Sequence, residues 1–147
     1  MTTAVVLALL GGNAFWDIRR KEILPVTVIA AGILGILVRL IAGRNAFGRP
    51  ASIMEGLAAA GIDLLPGAAM LLFSRASGEK LGGGDALMLC ALGIWTGALP
   101  ALCCFCLGLL LTAAAAGILR LAGRRQKELP FIPFLLAGYV WWRFMPI

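Results

Sequence analysis

Of 147 residues, 61% are hydrophobic and only 14% are charged, with a mean hydropathy of +0.97; a soluble domain of this length needs far more polar surface. At about 20 apolar residues per crossing, the chain has room for roughly six spans and none for a soluble domain beside them. The net charge of +6 would suit a nucleic-acid partner, but the basic residues fall in short stretches between spans, an ordinary topology signal, so no nucleic acid is expected.

The expected fold is all-α, a bundle of about six transmembrane helices forming one domain over residues 1–147. Span one runs from about Thr2 to Trp16 and closes on Phe15-Trp16-Asp17-Ile18-Arg19-Arg20-Lys21. Nothing basic precedes it, so a cleaved secretory leader is not expected. The Arg19-Arg20 pair follows the apolar run instead of leading it, unlike a twin-arginine signal. Span two covers about Leu24 to Ala42, followed by a loop from Gly43 to Ala51. Span three, about Ser52 to Phe73, contains Glu55, Asp63 and Pro66. Asp63 is an ionisable group inside apolar sequence, where such groups pair with an arginine or face a polar cavity.

A polar, glycine-rich loop is expected from Ser74 to Gly84, and span four opens at Asp85 and ends near Leu99 or Pro100. Within it, Gly93 and Gly97 form a small-xxx-small pattern that lets helices approach closely. Span five, about Ala101 to Leu121, carries three of the four cysteines, Cys103, Cys104 and Cys106; Cys90 lies in span four. With no histidine in the chain and every cysteine in apolar sequence, a metal site is not expected; the cysteines read as small apolar residues facing lipid or neighbouring helices. Span six starts at Leu129, and Tyr139, Trp141 and Trp142 suit an aromatic belt at its outer end. Nine of the thirteen basic residues (Arg19, Arg20, Lys21, Arg75, Lys80, Arg120, Arg124, Arg125 and Lys127) fall on one side. Arg39, Arg44, Arg49 and Arg143 remain for the other. The positive-inside rule then places both termini outside and both Asp17 and Asp85 at the cytoplasmic face.

Two carboxylates beside apolar spans at one depth ask for a chemical reason. Brought together, they can share one proton and activate water, as in aspartic proteases. The bland alternatives are that Asp85 is a helix N-cap and Asp17 an interfacial charge. The motifs sharpen the choice. Asp17-Ile18-Arg19-Arg20-Lys21-Glu22-Ile23-Leu24-Pro25, then Gly82-Gly83-Gly84-Asp85, then Leu129-Pro130-Phe131-Ile132-Pro133-Phe134-Leu135 together resemble the type IV prepilin peptidases. These are G-x-G-D intramembrane aspartic proteases, whose motifs read roughly D-x-R-x-x-x-I-P, G-x-G-D-x-K-L and P-F-x-P-F-L. The resemblance covers most of the chain, in the family's order.

Two positions depart from the pattern. Pro25 comes one residue late, and Leu87 stands where the family carries a lysine. The cysteine-paired zinc segment of the longer members, which also methylate the new pilin N-terminus, is absent; the chain is similar to the short, peptidase-only form found with Tad/Flp-type pili. The resemblance implies an aspartic endopeptidase of the cytoplasmic membrane. It would remove the basic leader of a prepilin or pseudopilin whose apolar helix remains in the lipid bilayer, with Asp17 and Asp85 catalytic and no cofactor or metal. Gly82, Gly83 and Gly84 would bare the approach to Asp85 and shape the loop before it. Two other readings come from different classes: a small ion- or proton-coupled transporter using Asp17, Asp63 and Asp85 along a path, and a non-catalytic assembly factor for pili.

Overall fold

A computed structural model describes residues 2–20, 25–43, 52–76, 83–122, 129 and 131–144. The described residues form six helices and no strand: α1 (Thr2–Arg20), α2 (Pro25–Ala42), α3 (Ile53–Ala76), α4 (Gly83–Thr96), α5 (Ala98–Leu121) and α6 (Ile132–Phe144). The expected all-α bundle is therefore present. Three helices, α2, α3 and α5, are long and apolar enough to cross a membrane. Their large side chains point outward, Ile33 and Ile41 on α2, Leu65 and Leu72 on α3, Leu110 and Ile118 on α5. So wide an apolar exterior is a liability in water and the natural surface toward hydrocarbon. The chain is a membrane protein.

Close contacts fix the direction of each helix. Thr27 donates to Asn13, joining the start of α2 to the later part of α1. Arg39 of α2 meets Asp63 of α3, and Gly67 and Gly93 bring α3 against α4 at Cys90 and Asp63. Gly108 packs on Leu135 and Gly138 on Cys104, running α5 against α6. Arg143 near the end of α6 donates to Thr3 near the start of α1. Sequence neighbours thus alternate in direction, and the C-terminal ends of α1, α3 and α5 lie at one end of the bundle. Arg19, Arg75 and Arg120 gather there, as the charge pattern predicts. The expected charges at Lys21, Lys80, Arg124, Arg125 and Lys127, and those at Glu22, Glu79 and Glu128, lie outside the described residues, as do Arg44 and Arg49.

The short α4 is the hub. It packs most heavily on α3, then on α2, α5 and α1, and Met88, Leu89 and Leu92 are fully enclosed. They join Val6 and Leu10 of α1, Val28 of α2, Cys104 of α5, and Ile132 and Leu135 of α6 in one core. Glycines let α4 sit this deep. A Cβ on Gly93 would run into the Asp63 carbonyl, and one on Gly35 would stand 2.7 Å from Ile94 and 3.0 Å from the Trp95 indole nitrogen.

Several boundaries differ from the expectation. Helix α1 continues past Trp16, so Asp17 is helical and not beyond a short span. Helix α4 stops at Thr96, not at Leu99 or Pro100, because Gly97 takes φ 99°, a conformation open essentially to glycine. Of the Gly93 and Gly97 pair, therefore, Gly97 is the chain reversal and Gly93 alone packs helices together. Pro100 sits in the first turn of α5, where its missing N–H leaves nothing unpaired. Ser52 and Glu55 cap α3 reciprocally: the Ser52 N–H donates to Glu55 Oε2 at 2.9 Å and the Glu55 N–H to Ser52 Oγ at 3.3 Å.

Candidate functional site

Asp17 sits near the end of α1 and is only 7% exposed. Its burial has a specific cause. One of its carboxyl oxygens, Oδ2, accepts the Ile132 N–H at 3.2 Å. That amide opens α6, so a side chain from the first helix supplies the cap of the last.

Asp85 lies in the first turn of α4, half-buried, within electrostatic reach of Asp17. Helix register independently puts the two acids at one depth. Asp85 lies twelve residues before the reversal at Gly97, level with about residue 109 of α5 for two antiparallel helices of equal rise. The Gly108–Leu135 contact between α5 and α6 places Ile132, and with it Asp17, opposite about residue 111. Two routes through the bundle converge on the same level.

The glycines before Asp85 need a correction. Gly83 and Gly84 belong to the first turn of α4 and not to a loop, and Asp85 is the third helical residue, not the N-cap. Gly82 lies outside the described residues. Among the described residues, a Cβ at Gly83 would meet nothing within 4 Å; two residues from Asp85, it lies on a different face of α4. Leu87 packs against the core.

Asp63 belongs elsewhere. Its Oδ2 accepts Arg39 Nη1 at 2.7 Å, its Oδ1 accepts the Ala98 N–H at 2.8 Å, and Arg39 Nη2 reaches the Gly93 carbonyl at 3.4 Å. Gly93 is eight residues beyond Asp85, about 12 Å further along α4. The ion pair thus clamps α2, α3 and the α4–α5 reversal in the opposite half of the bundle. Arg39, counted in the sequence with the charges of the far side, is in fact buried as a structural partner.

Two polar residues beside Asp17 escaped the sequence reading. Asn13, one turn earlier on the same face of α1, is buried; it donates to the Leu9 carbonyl at 2.9 Å and accepts the Thr27 hydroxyl at 3.3 Å. With Ala8, Leu9, Gly12 and Thr27 it lines a groove of about 250 Å³ between α1 and α2. The available signal was an asparagine four residues from an aspartate in otherwise apolar sequence. The cysteines behave as small apolar residues: all four are free, Cys104 buried and Cys103 and Cys106 on the exterior.

Comparisons with protein-family models, with curated proteins and with solved structures found no match.

Proposed function

We propose that this protein is an intramembrane aspartic endopeptidase that removes the basic leader from prepilin-like substrates at the cytoplasmic face of the membrane. The observation that carries the reading is convergence: three segments far apart in sequence, each resembling a prepilin-peptidase motif, lie at one end of the bundle, with Asp17 bonded to the start of α6 and Asp85 at the same level.

The chemistry requires two carboxyl groups that reach one water and one scissile carbonyl, one ionised and the other protonated. The ionised carboxylate takes a proton from water as that water attacks the scissile carbonyl; the protonated partner donates to the carbonyl oxygen. Collapse of the tetrahedral intermediate, with a proton passed to the leaving amine, frees the leader as a carboxylate and the mature helix as an amine. The closed Arg39–Asp63 pair weighs against a transport path, which would need its mid-bundle acid free to exchange ions.

The test is hydrolysis by the purified chain in lipid nanodiscs. A synthetic peptide with a lysine- and arginine-rich leader ending in glycine, followed by an apolar helix, is the substrate, and mass spectrometry reads the fragments. A single cut after the glycine supports the proposal. An intact peptide, together with proton or sodium flux in liposomes, would put the transporter in its place.

A further inference from the structure

The third motif has no role in the chemistry above, yet it touches the candidate site. The local sequence Phe131-Ile132-Pro133-Phe134 explains how. Phe131 carries the carbonyl that starts α6, accepting the Phe134 N–H at 3.0 Å and the Leu135 N–H at 3.1 Å. A phenylalanine has no side-chain oxygen with which to cap a helix. Pro133 has no N–H to satisfy. Of the helical amides from Ile132 to Leu135, that of Ile132 alone has no acceptor within α6, and Asp17 takes it. Ile132 is itself fully buried, so no water replaces that partner cheaply. The donor also stands on a firm base: the Phe131 ring packs edge-on against Phe105 of α5, with centroids 5.3 Å apart.

We propose that the start of α6 orients the Asp17 carboxyl for reaction, with Ile132 acting as a positioning residue through its backbone N–H. The proposal rests on the endopeptidase reading. A carboxyl at the end of a helix samples several rotamers, and hydrolysis requires one of them; a fixed donor on a neighbouring helix selects it. Phe131 and Pro133 then serve the reaction at one remove, by leaving a single amide for Asp17 to hold.

The decisive experiment replaces the Ile132 amide by an ester, through α-hydroxy acid incorporation at position 132, in the full chain in nanodiscs. The same replacement at position 134 is the control, since it removes a hydrogen bond of the same helical turn that does not involve Asp17. Cleavage of the basic-leader peptide is followed in all three proteins. The expected result is a fall in kcat of about tenfold or more at position 132 with KM within about twofold, while the position-134 ester keeps the unaltered kcat. Equal kcat for all three proteins, or an equal loss in both esters, overturns the proposal.

The bond is also read without turnover, by thermal unfolding of two substitutions. Asp17→Asn keeps an acceptor for Ile132 and is expected to melt near the unaltered protein, whereas Asp17→Leu strands the amide and melts lower. Identical melting of the two overturns the proposal even if an ester protein fails to accumulate. Failure of the unaltered chain to cut any basic-leader peptide would sink the endopeptidase reading, a result distinct from either of these.

Discussion

The buried ion pair between Arg39 and Asp63 yields a prediction that separates architecture from chemistry. Both side chains are nearly enclosed, at 8% and 9% exposure, and the carboxylate is engaged at both oxygens, by Arg39 and by the Ala98 N–H. Arg39→Met leaves a buried carboxylate with one amide donor. Asp63→Leu leaves a guanidinium whose remaining contact is the Gly93 carbonyl at 3.4 Å. Removing one member of such a pair costs about 3–5 kcal/mol, because the other charge is stranded in an apolar medium. Replacing both removes the stranded charge altogether. What remains is the Ala98 amide without its acceptor, worth about 1–3 kcal/mol. The double variant is therefore expected to be more stable than either single one, and to cleave the basic-leader peptide. Thermal unfolding in nanodiscs and accumulation in membranes measure the first, and the peptide assay the second. Additive losses in the double variant would refute the coupling, and lost cleavage in a well-accumulated double variant would return Asp63 to the active machinery.

Four further outcomes follow from the structure. Gly93→Ala and Gly67→Ala drive a methyl into the Asp63 carbonyl and the Cys90 backbone, so each is expected to lose about 1–3 kcal/mol or more in thermal unfolding. Gly61→Ala and Gly117→Ala, which meet nothing within 4 Å, are expected to hold or gain stability by up to about 1 kcal/mol. Gly97→Ala must adopt the φ of 99° at the α4–α5 reversal and is expected to cost about 1–3 kcal/mol by the same measurement. Joint replacement of Cys103 and Cys106 by alanine, both on the exterior of α5, is expected to leave peptide cleavage unchanged, and thiol-blocking reagents should not inhibit it.

How much of this was legible in the sequence depends on the range of each interaction. Apolar runs and the punctuation between them carry local information, and they placed six helices with their order and directions. They also marked Asp17 and Asp85 as acids at one depth. What they could not carry was partnership across the bundle. The Asp17–Ile132 bond spans 115 residues and the Arg39–Asp63 bond 24, so the identity of Asp63's partner and the capping role of the third motif emerge only from packing. The α4–α5 boundary was missed for a different reason. Pro100 looked like the break, but proline is welcome in a helix's first turn; the reversal needed the positive φ of Gly97, and a glycine in an apolar helix reads equally well as a packing residue. The run before Asp85 looked like a loop because glycines are poor helix formers. Its last two members are nonetheless helical, at the start of a central helix held from four sides.

The central claim is that Asp17 and Asp85 act together on a peptide bond. The most direct measurement is processing of a co-expressed prepilin with a basic leader in membranes, by the unaltered chain and by Asp17→Asn and Asp85→Asn. Each substitution keeps the size of the side chain and removes the carboxyl. The account predicts that either one alone abolishes leader removal while the protein accumulates normally. Leader removal at the unaltered rate by either variant would contradict it.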